Sequence, residues 1–344
     1  MKIITTIPPY APFLDELLSH PAISGVRLNT VMPTKEPLED LLKRLKSLAG
    51  SKDIWIDLKC RQLRTVHGAF YKAPSEPKIY EFGGIKHILD PSEPRSYGEL
   101  RTPPWAEIEI SHKVELDLSG GPIKCWMQDG YDSAWIVEIC DGNKLIMLDG
   151  PQRVVGGGES INILHPSLEI KGYFTELDLQ YIEAAKKAGI HNFMLSYVEK
   201  DDDIRELFDL DPKASAIAKI ESKKGVKWVM NSFDSFNDRV RLMAARGDLY
   251  VEMGRPDKIL RPLRLIAKKD PSAVLASRIL TSLRKSSLPA CSDITDITCM
   301  LEMGYEHFMI GDDICFNRDM LFLAVDILQV IGGEHGRAHS SIHP

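Results

Sequence analysis

Short apolar segments alternate with amphipathic helical segments near the start of the chain. Ile3–Ile7, Val26–Leu28 and Ile54–Asp57 have the length and apolar character of buried strands. Between the second and third of these, five leucines recur at helical spacing, namely Leu38, Leu41, Leu42, Leu45 and Leu48. Pro37 precedes this helical segment and Gly50 follows it, as helix termini prefer. Alternation of strands and helices predicts a parallel sheet.

The pattern changes between residues 66 and 163, which are rich in proline and glycine. Apolar and polar residues alternate in Ala106–Ile110 and in Trp135–Ile139, as in half-buried strands. Asp141-Gly142 and Asp149-Gly150 are turn sequences. This segment is predicted to be a small β-rich domain inserted into the first one.

Strand and helix segments alternate again after residue 163. Five more strands are predicted, at His191–Ser196, Ala216–Ile220, Val240–Ala245, Ala273–Ala276 and Phe308–Ile310. Eight strands predict an α/β fold, a (β/α)₈ TIM barrel of residues 1–65 and 164–331, with residues 66–163 inserted after strand 3 as a lid domain. A doubly wound sheet fits less well, because no G-x-G-x-x-G turn follows a strand. Residues 332–344 are predicted to be a flexible tail.

Composition and charge narrow the range of partners. Of the 344 residues, 44% are hydrophobic and 27% are charged, as is usual for a soluble globular protein. A formal charge of −6 gives no broad positive field, which argues against nucleic acid. No window reaches the ~18 apolar residues of a membrane span. The six cysteines are widely spaced without a CxxC pair, which favours reduced thiols and a cytoplasmic location.

Polar residues follow almost every predicted barrel strand. They are Arg27 and Asn29 at strand two, Asp57 and Lys59 at strand three, Ser196 at strand four, Lys219 and Glu221 at strand five, Arg246, Gly247 and Asp248 at strand six, Ser277 and Arg278 at strand seven, and Asp312 and Asp313 at strand eight. Enzymes of this fold carry their chemistry at the carboxyl ends of the strands. The sequence therefore predicts an active site at this rim.

The residue types at the rim indicate the chemistry. Glu221 and Asp248 would point into one mouth, and two carboxylates completed by water and substrate oxygens suit Mg²⁺ or Mn²⁺. No histidine or cysteine stands at the corresponding positions, which argues against zinc. Lys219 and Arg27 add fixed positive charge, and the backbone N–H groups of Gly247 and Asp248 could hold a carboxylate. A small anionic substrate with an enolate or phosphoryl intermediate is predicted.

Eight segments resemble motifs that occur in the same order in one known family. They are Lys2–Pro9, Val26–Asn29, Asp57–Thr65, Leu195–Val198, Ile217–Val226, Met243–Leu249, Leu275–Leu280 and Pro289–Asp296. The family that they resemble is the pyruvate kinases, over roughly residues 1–330. The fifth- and sixth-strand segments are specific, and the others carry weight only together.

The resemblance implies a role for each matching residue. Glu221 and Asp248 would bind the divalent metal, Lys219 would stabilise the phosphoryl group and the enolate, Arg27 would bind the phosphate in transit, and Ser277 would keep a hydroxyl near the carbon that is protonated. Substrate binding is implied for Ser196, Gly247, Asp248, Asn29 and Arg64. The inserted domain would be a lid that closes and excludes water.

Departures from the family pattern fall on another part of the site. Val31 and Leu58 stand where the family places hydroxyl residues of its K⁺ site, and Gln62 replaces a glutamate that accompanies K⁺ dependence. Val31-Met32-Pro33 replaces a Ser-His-Gly near the nucleotide phosphates, and Arg278 and Cys291 replace a glutamine and an arginine. The chain also ends where the family's C-terminal regulatory domain would begin. K⁺ is therefore not supported as a cofactor.

Three hypotheses follow. The first is Mg²⁺-dependent, K⁺-independent phosphoryl transfer between phosphoenolpyruvate and ADP, with pyruvate and ATP as products. The second keeps the metal and enolate chemistry without a nucleotide, as in a lyase or aldolase acting on pyruvate or another 2-oxoacid. The third is a non-catalytic relative that binds such a ligand or a protein partner. The sequence leaves open whether the chain forms a homo-oligomer.

Overall fold

The computed structural model describes residues 1–69, 76–82, 85–89 and 105–342. The chain divides into two compact units, Met1–Cys60 with the chain from Glu176 onward, and Arg61–Thr175. The first unit opens with β1 (Lys2–Thr6), α1 (Leu14–Ser19), β2 (Ile23–Asn29), α2 (Leu38–Ala49) and β3 (Asp53–Leu58). Gly50 adopts φ +58 directly after α2, a left-handed conformation that favours glycine and ends the helix.

The second unit is built from antiparallel strands. They are β4 (Lys78–Phe82), β5 (Ile85–Leu89), β6 (Trp105–Glu109), β7 (Val114–Glu115), β8 (Ile123–Met127), β9 (Asp132–Cys140), β10 (Lys144–Leu148), β11 (Ile161–Ile163) and β12 (Glu169–Ile170). Five of them form one sheet in the order β11-β8-β9-β10-β6. Alternate residues such as Ile108, Ile136 and Leu145 pack into its core. The two strands predicted from alternation, at 106–110 and 135–139, are confirmed.

The remaining elements return to the first unit. They are α3 (Glu176–Lys187), β13 (Asn192–Leu195), α4 (Asp201–Leu210), β14 (Ser215–Ile220), α5 (Lys223–Asn231), β15 (Val240–Ala245), α6 (Arg246–Glu252), α7 (Leu260–Lys269), β16 (Val274–Ala276), α8 (Cys291–Glu302), β17 (His307–Ile310), α9 (Asp312–Cys315) and α10 (Arg318–Ile342). No helix among the described residues is long and apolar enough to cross a bilayer.

Eight parallel strands close into a barrel in the order β1-β17-β16-β15-β14-β13-β3-β2. These are the eight strands that the sequence predicts, so the (β/α)₈ barrel is confirmed. Alternate residues of the strands, among them Ile4, Trp55, Met194 and Ile217, pack together in one apolar cluster. Because side chains alternate between the two faces of a strand, the residue two positions further along points to the same side. The next layer on that side therefore holds Thr6, Asp57, Ser196 and Lys219.

The unit boundaries differ from the predicted ones, 65/66 and 163/164. Residues 61–65 pair with the β-rich unit, since Arg64 bridges Ser160 and Thr65 bridges Ile110. Residues 164–175 belong to it as well, because β12 pairs with β7. These pairings join partners far apart along the chain, which periodicity does not reveal. The role of this unit as a closing lid stays a prediction.

The predicted flexible tail at residues 332–344 also differs from the structure. Helix α10 continues through this segment as far as Ile342. Gly332, Gly333 and Gly336 favour a loop, but each glycine weakens a helix by only about 1 kcal/mol and no proline occurs between residues 332 and 342. Residues 343–344 lie outside the described part of the chain.

His307, the first residue of β17, links barrel stability to pH. It is 8% exposed, and burial, assisted by the charges of Arg241 and Lys2, lowers its pKa to about 4. The imidazole of His307 therefore becomes protonated near pH 6.5 in the unfolded chain but only near pH 4 in the folded chain. We expect the unfolding free energy to fall by on the order of 1–3 kcal/mol between pH 6.5 and 4 from this group. Urea unfolding across that range, compared with His307→Gln, should show a shallower decline in the variant. Equal declines in both proteins would contradict this expectation.

Candidate active site

The carboxyl ends of the barrel strands bring a set of buried polar side chains together. Asp57 from β3 is at the centre, and its side chain is fully buried. Lys59 Nζ lies 2.7 Å from Asp57 Oδ2, and Lys219 Nζ from β14 lies 3.3 Å from Oδ1. Arg27 from β2 donates through Nε to Oδ2 at 2.9 Å and also through a terminal nitrogen. One carboxylate thus accepts hydrogen bonds from three cations.

The charges around Asp57 fix its ionisation. Burial alone would raise the pKa of this carboxyl, but the attraction of Lys219, Lys59 and Arg27 outweighs burial and holds the pKa well below the usual value. The ion pair between Asp57 and Lys219 also shifts the pKa of Lys219, in the opposite direction. Burial would lower the pKa of its ammonium group, and the carboxylates of Asp57 and Glu221 raise it above the ordinary value instead. Both groups are therefore charged at neutral pH.

Lys219 connects three elements of the barrel. Besides Asp57, its Nζ donates to Ser196 Oγ at 2.8 Å and lies 3.1 Å from Glu221 Oε1. Ser196 Oγ in turn donates to the carbonyl of Leu58 at 2.8 Å. The ammonium group is thereby held at a defined point on the rim, 9% exposed. The structure brings Lys219, Ser196 and Glu221 together, as the sequence predicts.

Glu221 and Asp248 interact electrostatically at the ends of β14 and β15. Burial raises the pKa of Glu221 to about 7; Lys219 opposes this shift and Asp248 adds to it. Glu221 Oε2 accepts the backbone N–H of Tyr197 at 2.8 Å, and the Tyr197 hydroxyl hydrogen-bonds Asp248. Sequence reasoning missed Tyr197, because its placement depends on a left-handed backbone at φ +52. Tyrosine is not a residue typical of that conformation, so the sequence gives no signal for it.

These two carboxylates suit a hard divalent cation. A positive ion beside them would relieve the cost of burying Glu221 as an anion, and oxygen donors match Mg²⁺ or Mn²⁺. Across the described part of the chain, no cluster of three or more histidine, cysteine, aspartate or glutamate side chains could hold a metal by itself. Water and substrate oxygens would have to complete the coordination.

Arg27 has a second acidic partner, at the end of β17. Asp312 Oδ1 accepts a hydrogen bond from the Arg27 guanidinium, and Asp312 Oδ2 accepts one from Asn29 Nδ2 at 2.6 Å. Thr6 Oγ1 accepts from the same guanidinium at 3.0 Å. Burial would raise the pKa of Asp312, but Arg27 and Lys59 lower it. The sequence places Asp312 on the rim but does not show that it pairs with Arg27.

The end of β16 is held by a buried arginine. Ser277 and Arg278 adopt φ +67 and φ +57, and their carbonyls accept from Arg246 at 3.2 and 3.1 Å. Arg246 also pairs with Asp296 at 2.8 Å. These contacts fix the backbone that carries Ser277. Its hydroxyl role near a substrate carbon stays a prediction.

The other predicted site residues have defined positions. Gly247 and Asp248 lie in the first turn of α6. Arg64 belongs to the β-rich unit, where its guanidinium donates to Gln62 Oε1 at 2.9 Å and to the carbonyl of Gly158. The assignments of Arg64 to nucleotide phosphates and of the Gly247 and Asp248 amides to a carboxylate stay predictions.

The barrel and its rim define a (β/α)₈ protein with a paired-carboxylate, lysine-centred site. Residues 108–313 match the model of the pyruvate kinase barrel domain, so the chain belongs to the pyruvate kinase family. It is 25% identical to the pyruvate kinase of Thermoplasma acidophilum over 324 residues and 26% identical to that of Methanocaldococcus jannaschii over 320 residues. Each match covers 91% of this chain. The matches cover 54% and 64% of the relatives' lengths.

Removing the Asp57 charge should destabilise the fold strongly. Asp57→Asn keeps the shape but leaves Arg27, Lys59 and Lys219 without their central counter-charge, so we expect a loss of about 3–5 kcal/mol. Urea unfolding at neutral pH measures it. Asp53→Asn, at the exposed start of the same strand, is the matched control and should change stability by less than about 0.5 kcal/mol. Equal stabilities for the two variants would show that Asp57 does not organise the rim.

Proposed function

We propose that this chain catalyses Mg²⁺-dependent phosphoryl transfer between phosphoenolpyruvate and ADP, without a requirement for K⁺. The observation that carries this proposal is the position of Lys219. Its ammonium group lies within 3.3 Å of Asp57, Ser196 and Glu221 and interacts electrostatically with Asp248. A fixed cation beside two carboxylates is suited to an anionic substrate that shares a divalent metal.

Glu221 and Asp248 are the proposed ligands of Mg²⁺ or Mn²⁺. When bound, the ion would supply positive charge that polarises substrate oxygens. The protein's contribution is to orient these ligands. Tyr197 contacts both, one through its backbone N–H and the other through its hydroxyl. Lys219 opposes the shift that burial imposes on Glu221 and keeps more of that carboxylate in the form that binds a cation.

The side chains at the rim have separate roles in the proposed reaction. The bond between phosphorus and the enol oxygen breaks, a bond between phosphorus and a terminal ADP oxygen forms, and the enol carbon gains a proton to give pyruvate. Lys219 would stabilise the charge on the transferring group and on the enol oxygen. Arg27 would bind the phosphate in transit, and Ser277 would lie on the side from which the proton is delivered.

The surroundings of Asp57 support independence from K⁺. Both oxygens of this carboxylate already accept hydrogen bonds from side-chain cations. A monovalent cation at Asp57 would meet the repulsion of Arg27, Lys59 and Lys219, while Val31 and Leu58 offer no side-chain oxygen.

The K⁺ proposal can be tested by exchanging the salt. Phosphoenolpyruvate turnover with ADP and Mg²⁺ should proceed at the same rate in potassium, sodium and tetramethylammonium chloride at equal ionic strength. Pyruvate formation coupled to NADH oxidation by lactate dehydrogenase measures the rate. A rate that appears only in the potassium salt would refute the proposal, and buffer pH and Mg²⁺ must be identical in all three assays.

Substitution of Lys219 tests the catalytic proposal. We expect Lys219→Met to lower turnover by about 10²–10³-fold or more, because the cation at the reacting oxygens is lost. Mn²⁺ binding, followed by electron paramagnetic resonance, should persist because Glu221 and Asp248 remain. Lys224→Met, on the exposed face of α5, is the matched control and should retain wild-type turnover.

Normal turnover in Lys219→Met would overturn the role of this residue. Two other outcomes would indicate one of the alternative functions instead of phosphoryl transfer. Proton exchange at the methyl group of pyruvate without phosphoryl transfer, followed by NMR in D₂O, would indicate 2-oxoacid chemistry without a nucleotide. Absence of both activities together with retained Mn²⁺-dependent oxalate binding would indicate a ligand-binding relative.

A further inference from the structure

Asp312 is an acidic residue whose role the family resemblance does not explain. It follows β17, and its carboxylate contacts Arg27 with one oxygen and Asn29 with the other. Arg27 is the residue proposed to receive a phosphate group. The side chain that would bind the substrate's anion is therefore already paired with an anion of the protein itself.

The two acidic partners of Arg27 differ in their accessibility. Asp57 is fully buried and is also bound to two lysines. The side chain of Asp312 is 30% exposed, and no lysine forms a salt bridge with it among the described residues. An incoming anion that competes for Arg27 would thus displace Asp312 more readily than Asp57, because less buried charge and fewer contacts are lost.

We propose that Asp312 is a specificity-determining residue that competes with the anionic group of the substrate for the Arg27 guanidinium. This inference rests on the proposed function only in assigning a ligand anion to Arg27. A ligand with a singly charged carboxylate gains little binding free energy by replacing the Asp312 carboxylate on the Arg27 guanidinium. A dianionic phosphate group carries more charge and more acceptor oxygens, so it gains enough binding free energy at Arg27 to displace the Asp312 carboxylate. The site would therefore select phosphate-bearing ligands over simple carboxylates.

Electrostatics within the rim support this role. The attraction of Arg27 and Lys59 keeps the pKa of Asp312 below its ordinary value, so the residue is an anion at neutral pH. Asp313, the next residue, supplies a natural comparison. It pairs with Arg284 at 3.0 Å, and both side chains are more than half exposed.

The test measures binding of inorganic phosphate to the full chain by isothermal titration calorimetry at slightly alkaline pH and fixed ionic strength. Asp312→Asn keeps the shape and hydrogen-bonding capacity and removes the charge, so it should bind phosphate about tenfold more tightly or better. Formate, a monoanion, should bind measurably only to this variant. Asp313→Asn is the matched control and should bind phosphate as the wild type does.

The same substitution in an Arg27→Met variant shows whether Asp312 competes with phosphate for Arg27 or only adds negative charge to the rim. In Arg27→Met, adding Asp312→Asn should give no gain in phosphate binding, because the guanidinium that the two anions share is gone. Thermal unfolding of each variant establishes that it is folded, and Asp312→Ala replaces Asp312→Asn if the latter is not. Unchanged or weaker phosphate binding in Asp312→Asn would overturn the inference, as would a gain that survives without Arg27.

The inference and the proposed function can fail separately. Wild-type turnover of phosphoenolpyruvate combined with no phosphate gain in Asp312→Asn would overturn the competition and leave the kinase proposal standing. No turnover combined with an Arg27-dependent gain would refute the kinase proposal and support Asp312 as the competitor at this anion site.

Discussion

The rim of the barrel depends on the charge balance around one buried carboxylate. Asp57 lies between the cationic groups of Arg27, Lys59 and Lys219, which would repel one another if brought together without it. The Asp57 carboxylate thus holds three cationic side chains, which come from two other strands and from the loop after β3. A cation held in this way is suited to stabilising negative charge that develops in a reaction, because it would not have to reorganise as the charge appears.

The remaining acidic residues divide the site into two halves. In one half, Glu221 lies 3.1 Å from Lys219, Asp248 interacts with Lys219 electrostatically, and Tyr197 contacts both carboxylates, an arrangement suited to a metal and a small anion. In the other half, Arg27 is bound on both sides by acids of the chain. The fifth- and sixth-strand segments resemble the family motifs, whereas the departures from the family pattern fall around the second, third and seventh strands, at residues such as Val31, Leu58 and Arg278.

Much of the fold and part of the site could be predicted from the sequence, for a physical reason. Strand periodicity predicts both the elements and the direction of each side chain, so Lys219 on β14 and Glu221, the first residue after it, are expected to point to the same side. Features that depend on distant pairing were not accessible. Asp312 meets Arg27 across 285 positions of the chain, and residues 61–65 join the β-rich unit through partners near 110 and 160. The left-handed backbone at Tyr197 gave no sequence pattern either.

Tyr197 contacts two neighbouring carboxylates, Glu221 and Asp248, through two different chemical groups, so the two contacts can change independently. It contacts Glu221 through a backbone N–H, which every amino acid except proline carries, although the left-handed φ of +52 restricts which residues fit there, and it contacts Asp248 through the hydroxyl of its own side chain. Mutation at this codon can therefore alter the second contact while the first is inherited unchanged. Over evolutionary time, such a position allows the affinity of a site to drift in small steps without dismantling it.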